Sequence, residues 1–166
     1  MAKGNKIDLR PLAPADVTRI RRWPKYPKEF ALLDYALRSG GWLHTYPASA
    51  TTLQLGAWSG GRLVGFSLLT DITPEAAEFY IALHPAQIGR GVGRPVAAQT
   101  LEYAFKKLGL QRVYLKVRPW HKRGITLYEQ LGFVPKGVKT QLIQGKPVRF
   151  RVMEVDKSAA ARALRV

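Results

Sequence analysis

Cysteine is absent from the 166 residues, which removes disulfides, thiolate nucleophiles and cysteine-ligated metal together. Histidine is scarce. His44, His84 and His121 are the only imidazoles and no two stand at helical ligand spacing, so no metal site is expected. No run of about 18 apolar residues occurs, and the opening MAKGNK leads into no apolar signal core. The expectation is a cytoplasmic protein with no membrane span. Acidic residues are few as well: 11 Asp and Glu face 27 Lys and Arg, a formal net charge of +16.

What is present suits one folded domain. With 46% hydrophobic and 10% aromatic residues the chain can bury a sizeable core. A single domain over 1–166 is expected, with residues 1–6 and 157–166 as tails. The charge is unevenly placed: residues 1–89 hold 10 basic and 7 acidic side chains, residues 90–166 hold 17 and 4. A polyanionic cofactor accounts for part of this excess. RNA, a ribosome or an acidic substrate would account for more, and a basic surface kept for solubility is the bland alternative.

Along the chain, Ile7 to Leu12 alternates as a half-buried strand and Ala15 to Trp23 reads as a short amphipathic helix stopped by Pro24. Pro27 to Arg38 predicts a second helix with Phe30, Leu33 and Leu37 on one face. Trp42 to Thr52 reads as a loop rich in aromatic and small polar residues. Leu53 to Trp58 and Arg62 to Thr70, joined by Ser59, Gly60 and Gly61, predict a hairpin, and Glu78 to Leu83 a third strand. Helix Arg94 to Leu108 carries Ala97, Leu101, Ala104, Phe105 and Leu108 at helical spacing, with Pro95 in its first turn and Gly109 at its end. Gln111 to Val117 is the next strand and Lys122 to Leu131 a second helix. Phe133 to Ile143 and Val148 to Val155 form a closing hairpin, with Val148, Phe150 and Val152 alternating against Arg149, Arg151 and Met153. The end, KSAAARALRV, is helix-prone but exposed to fraying.

The stretch LHPAQIGRGVGRPV, Leu83 to Val96, joins a strand to a helix through Gly89, Gly91 and Gly93. Such a turn frees successive N–H groups to point one way, and the helix adds its positive dipole end; a phosphate or pyrophosphate is the natural guest. A plain turn is the alternative. It is not a P-loop, since no Gly-Lys-Ser/Thr closes it, and it lacks the spacing of a dinucleotide fold.

Downstream stands His121 to Phe133, HKRGITLYEQLGF. Together with IGRGVG, Ile88 to Gly93, it resembles the GNAT superfamily of acyl-CoA-dependent N-acyltransferases. The resemblance covers nearly the whole chain and is strongest from Glu78 to Phe133. It implies a mixed α/β (α+β) fold, a central, mostly antiparallel mixed sheet flanked by helices. It implies acetyl-CoA as cofactor and direct attack of a primary amine on the thioester, the amine being a protein N-terminus, an amino acid or a small amine. By the same resemblance the cofactor lies on Leu83, Ile88, Gly89, Arg90, Gly91, Val92, Gly93, Arg94 and His121. A backbone N–H near Leu83 polarises the carbonyl, and Tyr128 is the acid for the leaving thiolate. Without the resemblance Tyr128 reads as a core aromatic beside Ile125 and Leu131. Glu78 is the candidate base, placed by strand alternation on one face with Tyr80, Ala82 and His84, and His84 is a candidate beside it, the alternatives being an exposed strand Glu and a loop His; His121 and His44 are weaker candidates.

The chain departs from the family pattern in two places that matter and a third expected to matter less. Ile88 replaces the usual Arg or Gln, which leaves phosphate binding to main-chain amides with Arg90 and Arg94 for charge; Pro95 has no N–H to give. His121 stands where the family often has Asn. Gly124 stands for Ala, a change expected to matter less. With 11 acids the chain is poorly suited to gather polyamines. Of another class is a basic RNA- or ribosome-associated module that retains this fold for binding, suggested by Lys116, Arg118, Lys122 and Arg123 beside Trp120. A homodimer is left open.

Overall fold

The computed structural model describes residues 6–164, which fall into two compact units. The first holds the chain through Asp71 together with Tyr80–Thr100; the second holds Ile72–Phe79 together with the chain from Leu101. Seven strands run in the order β1-β2-β3-β4-β5-β7-β6. Strand β4, Ala76–Leu83, contributes its first half to the second unit and its second half to the first.

In the first unit, β1 (Asp8–Pro11) pairs antiparallel with β2 (Leu53–Ser59), and β2 with β3 (Arg62–Thr70). The hairpin expected at Ser59 to Gly61 forms, with Ser59 opposite Arg62. Both faces of these strands are apolar. One carries a cluster of Ile20, Trp23, Leu37, Leu43, Trp58, Phe66 and Leu68. The other carries Ala57 and Val64 with Ile7, Val92 and Val96. Helix α1, Pro14–Arg21, opens where the Asp16 carboxylate accepts the Ala13 N–H at 2.8 Å and buries Ile20.

Two expectations change here. Lys28–Leu37 is a run of 3₁₀ turns rather than an α-helix. Its polar side chains and that of the next residue are committed to the preceding segment: Asp34 accepts the Tyr26 N–H, and Arg38 binds Asp34, the last carbonyl of α1 at Arg21 and the loop carbonyls of Trp23 and Pro24. The expected loop after Gly41 begins as one helical turn, α2 (Trp42–Thr45), with Leu43 buried. Helix α3 (Gly93–Glu102) is anchored to β3 by Thr100, whose hydroxyl donates to the Val96 carbonyl at 2.8 Å and meets Ser67 Oγ at 2.7 Å.

The helix expected to run to Leu108 changes pitch after Glu102. Tyr103–Lys107 is π-helical, the Leu108 N–H reaching the Tyr103 carbonyl. In the second unit β5 (Arg112–Val117) pairs parallel with Ala76–Glu78 of β4 and antiparallel with β7 (Lys146–Asp156), which carries β6 (Val134–Ile143) on its far side. Val113, Leu115 and Val117 face one way, opposite Val155 and Met153. The expected alternation in β7 breaks phase: Phe150 is buried on one face, then Met153 and Val155 on the other. Opposite this change β6 carries one extra residue, Lys136, between Pro135 and Gly137.

Helix α4 (Lys122–Gln130) buries Ile125 and Tyr128 and stops at Gly132. The expected tail is a correction. Lys157–Leu164 forms helix α5, opened by Asp156 accepting the Ala159 N–H and fixed by the buried Ala160; residues 1–5 and 165–166 lie outside the described residues.

Gly132 has φ +97°, and a Cβ there would stand 3.1 Å from the Ala159 carbonyl oxygen. Gly132→Ala is expected to destabilise the protein by about 1–3 kcal/mol through strain and this close approach. Thermal unfolding checks it, and an unchanged melting temperature would show that α5 yields without loss.

Candidate active site

The turn from β4 to α3 is built by two glycines. Gly89 and Gly91 have φ +79° and +77°, conformations that a side chain disfavours. Pro85–Gln87 is a single 3₁₀ turn, capped by His84 Nδ1 accepting the Ala86 N–H at 3.0 Å. Two of the amides read as phosphate donors are committed to the turn itself. The Ile88 N–H faces the Pro85 carbonyl at 3.4 Å, and the Arg90 N–H faces that of Gln87 at 3.2 Å. The N–H groups of Gly89, Gly91, Val92 and Gly93 have no acceptor among the described residues. Val92 precedes the first residue of α3, where a Ser or Asp would cap; its side chain is buried beside Val96. Arg90 is exposed and Arg94 half-buried. A set of open donors at a helix start, with two arginines beside it, fits a pyrophosphate.

Just before the turn, the Leu83 carbonyl accepts the Tyr26 hydroxyl at 2.8 Å, and the His84 N–H donates to the Val64 carbonyl at 2.8 Å. Burial lowers the His84 pKa, and the Trp23 ring lies 5.0 Å from the imidazole. Nearby, Tyr80 donates its hydroxyl to that of Tyr46 at 2.9 Å, and Trp42 meets the Tyr80 ring edge-on at 4.9 Å. Here the Trp42 to Thr52 segment supplies aromatic packing.

In the second unit Tyr128 lies on α4 between two phenyl rings, edge-on to Phe79 at 6.3 Å and to Phe133 at 5.8 Å. Burial pushes its phenol well above the ordinary tyrosine range, so it is protonated at neutral pH. The ring packs as a core aromatic and still carries a hydroxyl with no hydrogen-bond partner among the described residues.

Glu78 is nearly buried and meets the equally buried Lys116 Nζ at 3.1 Å; the same ammonium donates to Gln141 Oε1 at 2.6 Å. Sequence reasoning had placed Lys116 only in a basic run, because its partner lies on another strand. Successive strand residues point to opposite faces. Tyr128, on the Phe79 side, and Glu78 are therefore on opposite faces of β4, and the structure does not bring the candidate acid and base together on one.

His121 stands just before α4 and its carbonyl accepts the Ile125 N–H. Burial, reinforced by Arg123, lowers its pKa, so the imidazole is neutral at pH 7. The ring folds over Gly124, where a Cβ would stand 2.6 Å from its Cδ2 and 2.7 Å from Nε2. The change at Gly124, expected to matter less, is what makes room for His121. His44 takes no part in these contacts. Among the described residues no group of three His, Cys, Asp or Glu could hold a metal, and no helix is long and apolar enough to cross a membrane.

The family description "Acetyltransferase (GNAT) family" matches residues 16–133, and the chain belongs to that family. It is 35% identical over 78 residues to a spermidine N(1)-acetyltransferase of Vibrio cholerae, covering 46% of this chain and 45% of that protein. It is 35% identical over 96 residues to the N-alpha-acetyltransferase RimI of Mycobacterium tuberculosis, covering 55% and 58%. The chain thus matches about half the length of these curated relatives. The structure of a Vibrio cholerae spermidine N-acetyltransferase in complex with CoA and spermine superposes with a TM-score of 0.73 at 22% identity, over 93% of this chain and 98% of that one, and shows the shared fold.

Gly124→Ala is expected to push the His121 ring outward. Better helix propensity, about 1 kcal/mol, offsets the lost packing, so stability should change little. The His121 pKa should rise toward its ordinary value of about 6.5 as the ring is exposed. An NMR titration of the imidazole reads this, and an unmoved pKa would show that the ring keeps its place.

Proposed function

We propose that the chain is an N-acetyltransferase that takes the acetyl group of acetyl-CoA to a primary amine. The observation that carries this is the set of amides at Gly89, Gly91, Val92 and Gly93, which have no acceptor among the described residues and lie in and just after the glycine turn within the family match at 16–133. Acetyl-CoA supplies a thioester carbonyl as electrophile and a thiolate as leaving group. The amides of Gly89, Gly91, Val92 and Gly93, with Arg94, hold the pyrophosphate. The Leu83 N–H donates to the acyl oxygen as charge develops on it, and Tyr128 returns a proton to the thiolate sulfur. His121, as a neutral imidazole, can take over the contact for which the family uses Asn.

For the amine proton the proposed base is Glu78. Its pairing with Lys116 and its place on the face away from Phe79 mean that the proton reaches it through water. The acceptor is a protein N-terminus, an amino acid or a small amine. Polyamines, named for several relatives, suit this chain poorly. In the first unit Asp34 is held by Arg38 and Asp16 by the Ala13 amide, and no acid lies between Tyr80 and Thr100. The RNA- or ribosome-binding alternative rests on charge alone, and the family match favours the enzyme.

Acetyl-CoA is expected to raise the melting temperature by mass action, and a screen of amines with thiol-release detection should return an acceptor. The absence of any thermal shift with acyl-CoA would count against the proposal. Tyr128→Phe should lower kcat by about 10²-fold, the usual range for a lost general acid, while CoA affinity stays the same. Because the phenol lies above its ordinary pKa, the wild-type rate should show no alkaline decline from Tyr128 below pH of about 10.

Arg94→Ala should weaken CoA about tenfold, the scale of one charge-assisted contact, and leave pantetheine unaffected. Equal losses for both ligands would move the pyrophosphate elsewhere.

A further inference from the structure

Tyr26 has no place in the family resemblance, yet its hydroxyl donates to the carbonyl of Leu83, 57 residues away, at 2.8 Å. The peptide between Leu83 and His84 is thereby held at both ends, because the His84 N–H donates to the Val64 carbonyl on β3. In an extended strand a residue's own N–H and C=O point to the same edge, and the next residue's point to the opposite one. The Leu83 N–H and C=O therefore share the edge turned away from Val64, and the Tyr26 hydroxyl stands on that edge.

Tyr26 is itself fixed from behind. Its N–H donates to Asp34 Oδ1 at 3.0 Å, and Asp34 is gripped by Arg38 through Nε at 2.8 Å and Nη2 at 2.7 Å. Arg38 also donates to the carbonyls of Arg21 at 3.0 Å, Trp23 at 2.6 Å and Pro24 at 3.0 Å. Its donors are thus distributed over Asp34, the end of α1 and two loop carbonyls, a clamp that fixes the loop from which Tyr26 reaches β4. The ring packs against the apolar cluster around Trp23 and Phe66. A phenylalanine would fill that space equally well; the hydroxyl is what reaches the carbonyl.

We propose that Tyr26 is a positioning residue: through the Leu83 carbonyl, and backed by the Asp34–Arg38 clamp, it sets the angle at which the Leu83 N–H meets the acyl oxygen. This rests on the acyltransferase reading. The hydroxyl moves no proton in the reaction. It fixes a peptide plane whose donor otherwise librates at the end of a strand, and a donor that is pre-aimed stabilises developing charge without reorganising.

The test is the infrared stretch of acetyl-CoA labelled with ¹³C at the thioester carbonyl, bound to wild type and to Tyr26→Phe. Wild type should lower the carbonyl frequency relative to free acetyl-CoA, and Tyr26→Phe should lose most of that shift. With an amine from the acceptor screen, kcat should fall about tenfold while KM for acetyl-CoA stays within about threefold. Arg38→Lys, which loosens the clamp and leaves the Tyr26 ring, should change the band in the same direction and add nothing on top of Tyr26→Phe. It carries the same measurement if Tyr26→Phe does not fold. A folded variant with an unchanged band and unchanged kcat overturns the inference, as does a wild-type complex with no carbonyl shift. A wild-type protein that binds no acyl-CoA overturns instead the acyltransferase reading beneath it.

Discussion

The start of α3, where among the described residues no acceptor meets the N–H groups of Val92 and Gly93, is the constraint on which the first unit turns. Capping α3 by Ser or Asp would contribute about 1 kcal/mol, whereas fully burying a valine contributes about 1.5–3 kcal/mol. Val92 takes the second course, packed beside Val96, and among the described residues the N–H groups of Val92 and Gly93 have no acceptor. The neighbourhood follows from that. Gly89 and Gly91 turn the chain through positive φ, Pro95 removes one donor from the set, and Thr100 ties the helix body to Ser67 on β3. The proposed pyrophosphate site rests on those open amides.

The scarcity of acid has a structural meaning as well. Asp34, Glu75, Glu78, Glu102 and Glu154 sit in ion pairs, and Asp16 and Asp156 accept backbone amides at helix starts. Most carboxylates are thus internal ties, and the positive excess is left to solvent and ligands. The exposed ties contribute little. The Glu78 pair with Lys116 is different in kind, since both groups are nearly buried and loss of Lys116 would leave the Glu78 charge without its cation.

Local rules carry the hairpin at Gly60 and Gly61, the strand that leads to the glycine turn and the start of α3, because the side chains that decide them are neighbours in sequence. Tyr128 is singled out by motif spacing, and its place on α4 between Phe79 and Phe133 is what the structure adds. What escaped depends on partners far along the chain. The 3₁₀ run at Lys28–Leu37 follows from Asp34 and Arg38 binding the preceding loop, which its apolar spacing does not register. The π turn after Glu102 breaks the 3.6-residue period used to extend α3 to Leu108. Lys116 found Glu78, and Tyr26 found Leu83, by strand placement alone. Signals existed for both, a lone lysine within an apolar strand and a tyrosine between two prolines, but neither names its partner.

His121 and Gly124 show how two departures from a family pattern can be one. Taken position by position, histidine for asparagine is a lost amide and glycine for alanine is a small loss of helix propensity. In space the imidazole lies where the alanine methyl would be, so the larger ring at the helix start requires the smaller residue three places on. The requirement is directional: His121 over alanine has to swing toward solvent, while asparagine over glycine leaves a gap that loses packing without a clash. Burial against Gly124 also keeps the imidazole neutral, able to offer one nitrogen as donor and the other as acceptor, as an amide does. Under the proposed function, the pair lets a neutral ring stand in for the amide of the family's usual residue. That is a physical reason for the two changes to occur together at the mouth of α4.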